Sequence, residues 1–156
     1  MATVLAAVID DEPIEESMGI VHHEEGVDLL PANIELSAVE ASMANVMSRE
    51  LMMQEYLDTI KEQYDYVLID CMPSLGMMTI NALVAADSVL IPVQAAYLPV
   101  KGLQQLIKTI TMVKKRMNRK LRVEGILLTM VDYRTNFTRD ISATVHELYE
   151  NIGVFE

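Results

Sequence analysis

Apolar residues follow two rhythms along the chain. Between residues 34 and 62 they recur every three to four positions: Leu36, Val39, Met43, Val46 and Met47, then Leu51, Met52, Tyr56 and Ile60. That is the period of one helix face, so two successive helices are predicted, with Ser48 restarting the second. From Tyr64 onward the apolar residues come in short continuous runs, at 66–69, 88–93 and 123–130. A continuous run suits a strand buried on both faces, as in a parallel sheet. Between and after the runs, residues 75–85, 100–117 and 138–150 read as helices, the first with Ser74 as its cap. Alternation of strand and helix predicts an α/β fold: a mostly parallel sheet of about four or five strands flanked by helices.

The N-terminal part is less regular. Residues 2–10 are apolar and rich in alanine, which favours a helix, and an acidic stretch over 10–16 follows. Residues 18–22 and 27–31 are short and β-prone, and the polar His23-Glu24-Glu25-Gly26 between them predicts a hairpin or two short strands. Adjacent His22 and His23 on a strand point to opposite faces, which speaks for a surface turn and against a metal site. The 156 residues make one domain, 1–156, without repeat or linker. With no Trp and two Phe, the core must be aliphatic, and the methionines at 43, 47, 52, 53, 77 and 78 fall at helical spacings as core or interface filler.

Charge changes the picture more than composition does. Residues 1–100 carry 17 acidic and 2 basic side chains, whereas residues 101–156 carry 6 acidic and 10 basic. Any polyanion contact is therefore expected on the C-terminal third. No apolar run reaches the roughly 18–20 residues that span a bilayer, and the first residues lack the basic start of a secretory signal. The single cysteine, Cys71, excludes an internal disulfide and is read as a small buried hydrophobe. A cytoplasmic, bacterial protein with no membrane partner is expected.

The chemistry concentrates in YDYVLIDCMPSLGMMTINALVAADSVLIPVQ, residues 64–94. Asp70 closes an apolar run. Ligands of open α/β sheets bind outside the carboxyl ends of strands, and a carboxylate there can hold a Mg²⁺-bound water beside a nucleotide phosphate. Mg²⁺ keeps several waters, so one Asp is sufficient. Pro73, Ser74 and Gly76 follow as a turn able to act as a switch. On pattern alone the same Asp fits better a strand end that caps a turn.

This stretch resembles the Walker B and switch region of ParA/Soj-type chromosome and plasmid partitioning ATPases, a MinD-like group with a deviant Walker A loop. The family's Ile-Asp-Cys, Pro-Ser-Leu-Gly, Thr-Ile-Asn-Ala-Leu and Ala-Ala-Asp-Ser-Val-Leu-Ile-Pro-Val-Gln blocks occur here in order and at the same spacing. Met72 stands where the family usually has a second Pro. The likeness continues in PVKGLQQLIKTI (99–110), GILLTMVDYRTNFT (125–138) and, upstream, GVDLLPANIELSAVE (26–40). It implies a partial P-loop NTPase fold, ATP and Mg²⁺ as cofactors, and Asp70 as the residue that orients the Mg²⁺ water. It also implies non-specific DNA and a ParB-like centromere-binding adaptor as partners. Arg134, in Asp132-Tyr133-Arg134-Thr135-Asn136, is then the first candidate for DNA contact, and Thr129, Met130 and Asp132 lie near the nucleotide base.

The family's Lys-Gly-Gly-x-Gly-Lys-Thr-Thr loop, whose backbone N–H groups and lysines hold phosphates, has no counterpart. The six glycines are scattered, and none is followed by Lys. The resemblance therefore implies a truncated ATPase that is inactive by itself, binds no cofactor tightly, and tends to self-associate through open sheet edges. Lys114, Lys115, Arg116, Arg119, Lys120 and Arg122 form a basic run that suits either a solvated helix end or DNA phosphates. Two other classes fit parts of the chain. A phospho-receiver would use Asp10 and Asp11 as its acidic pair, Asp70 as acceptor and Lys101 as its lysine. A non-catalytic interaction module would dock through the helix faces in 34–62 or 100–117.

Overall fold

The computed structural model describes residues 1–15 and 17–155, and within them all side chains except those of 97–101 and 137. Glu16 of the acidic stretch and the side chain of Lys101 therefore lie outside the described residues. The chain forms two compact units, Met1–Ala85 and Ala86–Glu156.

In the first unit the alanine-rich start is helix α1, Ala2–Ile9, with Val4 and Leu5 fully buried. Asp10 ends this helix and closes no strand, which removes the acidic pair of the receiver reading. The expected hairpin is present: β1, Val21–His22, pairs antiparallel with β2, Asp28–Leu29. Gly26 turns it with φ +78°, and its N–H donates to the His23 carbonyl at 3.0 Å. Across the hairpin, Asp28 accepts from Tyr64 Oη at 2.7 Å and pairs with His22 Nδ1 at 2.7 Å.

The 34–62 stretch folds as α2, Glu35–Ser42, a 3₁₀ turn Met43–Asn45, and α3, Met52–Ile60. Ser48 does not itself restart the helix: it sits at φ +55° in the turn ahead of α3, where its carbonyl accepts from the Leu51 N–H at 2.8 Å, and the helix begins at Met52. α3 presents Met52, Met53, Tyr56, Leu57 and Ile60 to the core at the predicted spacing, whereas α2 buries no residue fully. Met43, Met52, Met53 and Met78 are core residues. Met47 is not: it follows the 3₁₀ turn and is 88% exposed. Helix α4 runs Met77–Ala85, two residues shorter at its start than predicted.

The strand expected at 66–69 is not a strand here. Residues 66–72 are extended but belong to no ladder, and Tyr66 and Leu68 are 87% and 93% exposed. A run of this composition is buried only when neighbouring strands and helices cover both faces. Among the described residues none pairs with it.

The second unit is a parallel sheet, β3, Ser88–Gln94, β4, Arg122–Thr129, and β5, Val154–Phe155, in the order β3-β4-β5. Helix α5, Tyr97–Arg116, crosses from β3 to β4, and α6, Asn136–Leu148, from β4 to β5. Three parallel strands and a separate hairpin thus replace the four or five predicted. β3 buries Ile91 and Val93 while Leu90 is half exposed, so it is covered on one face where two were expected. β5 went unpredicted because two residues carry no periodicity. Its Phe155 ring lies over Gly125, where a Cβ would overlap the ring.

Candidate functional site

The first-unit site is built on the loop between the extended run and α4. Asp70 is exposed and follows Ile69, which is partly buried against the core. With residues 66–72 it lines a cavity of about 520 Å³ whose other walls include Leu36, Leu57, Ile60 and Met78. Cys71 is exposed as a residue, contrary to the small-hydrophobe expectation, because the run that carries it is uncovered. Partial burial of its sulfur, and then the Asp70 charge, raise its thiol pKa.

Pro73, Ser74 and Gly76 form the turn that follows. The Ser74 N–H donates to the Met72 carbonyl at 2.7 Å, and the Ser74 carbonyl accepts from Thr79 Oγ1 at 2.7 Å. The expected Ser74 cap is replaced by a carboxylate from another helix: Met78 N–H donates to Glu40 Oε1 at 3.2 Å. A Cβ at Gly76 would sit 2.6 Å from the same oxygen, so a side chain there would make the Glu40 carboxylate shift.

Asn81, one helical turn further on, is fully buried. Its Nδ2 donates to the carbonyls of Arg49 at 2.8 Å and Met77 at 3.1 Å, and its Oδ1 accepts from Met53 N–H at 3.1 Å. One side chain thereby caps the first turn of α3 and ties it to α4. Residue-by-residue reading passed over Glu40 and Asn81. The signal available was a polar residue at an apolar position of each helix, since both partners lie 28 to 38 residues away in sequence.

The second unit holds the remaining candidates. Thr129 ends β4, and Met130 follows with φ +54°, its sulfur accepting from Gln94 Nε2 at 3.3 Å. Asp132 and Arg134 form a two-pronged ion pair, Nε to Oδ1 at 2.8 Å and NH2 to Oδ2 at 2.7 Å. That guanidinium, and then the Arg134 backbone N–H, hold the Asp132 carboxyl below the usual range, and Asp132 in turn raises Arg134. Thr135 caps α6 by accepting from Thr138 N–H at 3.2 Å, so Arg134 is presented at the helix entrance.

The basic run is a continuous surface feature. Lys114, Lys115 and Arg116 occupy the last turn of α5, where cations complement the dipole. Arg119 and Lys120 follow in the connecting loop, and Arg122 opens β4; all six are exposed. Leu121 between them is fully buried and pins the loop while its neighbours stay in water.

A parallel sheet with crossover helices makes the second unit a three-stranded α/β structure. A family model for an AAA domain matches residues 1–123. The chain is 44% identical over 127 residues to the sporulation initiation inhibitor protein Soj of Bacillus subtilis (strain 168), covering 81% of this chain and 50% of that protein. It is 41% identical over 156 residues to the chromosome partitioning protein ParA of Myxococcus xanthus (strain DK1622), covering 99% of this chain and 54% of that protein. Among solved structures, cobyrinic acid a,c-diamide synthase from Mycobacterium smegmatis, with a bound ATP analogue and magnesium, superposes with a TM-score of 0.84 at 37% identity. That match covers 94% of this chain and 59% of the synthase. The chain belongs to the ParA/Soj-type family of partitioning ATPases within the AAA-domain group. It spans about half the length of the curated relatives it matches.

No helix among the described residues is long and apolar enough to cross a membrane. No group of three or more His, Cys, Asp or Glu among them could hold a metal ion.

Proposed function

We propose that this chain is the central part of a ParA-like ATPase that moves chromosomes or plasmids by ATP-dependent DNA segregation with a ParB-like adaptor. The observation that carries this reading is the exposed Asp70 at the end of an extended run, directly ahead of the 73–76 turn. It supplies one hard oxygen donor, the ligand type that Mg²⁺ prefers. One carboxylate acting through water fits Mg²⁺, which takes its other ligands from waters and phosphates. Mg²⁺ would there neutralise charge on the phosphates, and Asp70 would orient one of its waters.

The phosphates find no cradle in this chain, since its scattered glycines form no phosphate-binding loop. No hydrolytic step is assigned to it alone. On this reading a strand, a glycine-rich loop and a helix outside the sequence complete the site, and the unpaired run at 66–72 is where that strand adds. Arg134 and the six cations of 114–122 serve as non-specific contacts to DNA phosphates, with Thr129, Met130 and Asp132 near the base.

Calorimetric titration of the folded chain with ATP·Mg²⁺ tests this. The expected result is no detectable binding. Micromolar binding that disappears in Asp70→Ala would overturn the view that the cradle lies elsewhere.

A further inference from the structure

We infer that Glu40 is a positioning residue: a latch from α2 that sets the resting position of the 73–76 turn. Three observations converge on it. Its Oε1 accepts the Met78 N–H at 3.2 Å, so it fastens the start of α4. The same oxygen occupies the space a side chain would need at Gly76, 2.6 Å from where the Cβ would be. Behind that point, among the described residues, the turn is held locally: by Thr79 Oγ1 on the Ser74 carbonyl and Ser74 N–H on the Met72 carbonyl, both at 2.7 Å, and by Ile80 N–H on the Gly76 carbonyl at 3.2 Å. Glu40 thus ties the start of α4, directly behind the turn, to a distant element.

The element it comes from is itself lightly held. α2 buries no residue fully, and its hold on the unit rests on the partly buried Leu36 and Val39 together with this carboxylate. A displacement of α2 therefore moves the Met78 acceptor with it, and a displacement of the turn pulls on α2. The significance of the latch for a nucleotide site rests on the proposed role of Asp70 and the 73–76 turn. The contact itself does not, so it can be tested without nucleotide.

Amide hydrogen exchange over residues 72–80 provides the test. In Glu40→Ala the Met78 amide loses its acceptor and exchanges on the order of tenfold faster, the equivalent of one net hydrogen bond. A simple helix cap would quicken α4's first turn alone; a latch also quickens Ser74. Glu40→Gln, which keeps an acceptor oxygen, restores protection at both positions. Gly76→Ala expels the carboxylate and reproduces the Glu40→Ala pattern, and in the Glu40→Ala background it adds nothing, because the space is already free. An unchanged Ser74 amide in Glu40→Ala, or additive effects in the double variant, would overturn the latch. Micromolar ATP·Mg²⁺ binding that is lost in Asp70→Ala, beside the expected exchange pattern, would overturn the functional reading and leave the latch standing.

Discussion

Replacing Asn81 by Ala removes three hydrogen bonds from the interior of the first unit. The Met77 carbonyl lies within α4 and keeps a helical partner. The Arg49 carbonyl and the Met53 N–H lose the partners described above. A buried polar group left without a partner costs about 1–3 kcal/mol; with that cost at the buried Met53 N–H and about 1 kcal/mol at the part-buried Arg49 carbonyl, the two together cost about 2–4 kcal/mol. That places Asn81→Ala at or beyond the upper end of ordinary substitutions, about 0.5–3 kcal/mol. With a urea slope of about 1–3 kcal/mol per molar, the midpoint falls by roughly 1–2 M at unchanged slope. Asn81→Asp is the sharper control. It keeps an acceptor for Met53 but turns an oxygen toward two carbonyls, so it is at least as damaging at neutral pH. Burial favours the neutral acid, whose O–H can donate, so its stability partly returns as pH falls. A midpoint shift below about 0.3 M for Asn81→Ala at constant slope would refute the view that this residue joins α3 to α4.

Other outcomes follow from the same contacts. Tyr64 and then His22 depress the Asp28 carboxyl, so their contribution to stability is present above the ordinary aspartate pKa and is lost as pH falls through the lower folded value. Tyr64→Phe should move the Asp28 titration, followed by carbon-detected NMR, back toward the ordinary range. Gly125→Ala forces a methyl into the Phe155 ring and should lower stability by about 1–3 kcal/mol in thermal unfolding, recovered in part by pairing it with Phe155→Ala, since the Gly153 carbonyl oxygen still lies 3.1 Å from that methyl. The uncovered run at 66–72 should make the chain associate with rising concentration in light scattering, and Leu68→Lys, on its most exposed side chain, should suppress this without changing the circular dichroism. Neutralising Lys114, Lys115 and Arg116 together should flatten the salt dependence of any duplex DNA binding by about two to three units of log–log slope.

The helices and the β3–β4 pair were legible because they depend on local period. Met52, Tyr56 and Ile60 repeat at helical spacing and are buried where that spacing puts them. The misreadings arose where a feature depends on distant residues. Residues 66–69 have the composition of a central strand, but a strand exists only through a neighbour's ladder, and none is present among the described residues. The start of α4 was misplaced because its cap comes from Glu40, 38 residues upstream. Cys71 and Met47 were placed inside on composition, whereas position on an uncovered run and after a 3₁₀ turn decides their exposure. Family resemblance located Asp70 and Arg134 as candidates; it said nothing of the ion pair that already engages Arg134.

Met130 carries a consequence in the chemistry of ageing. Its thioether, on a residue 81% exposed, is a weak acceptor for the Gln94 amide, whereas Met43, Met52, Met53 and Met78 are sealed in the core. Peroxide would reach Met130 and Met47 long before those four. At Met130 the resulting sulfoxide oxygen is a far stronger acceptor for the same amide, so oxidation there tightens the ends of β3 and β4 together while leaving the core chemically young.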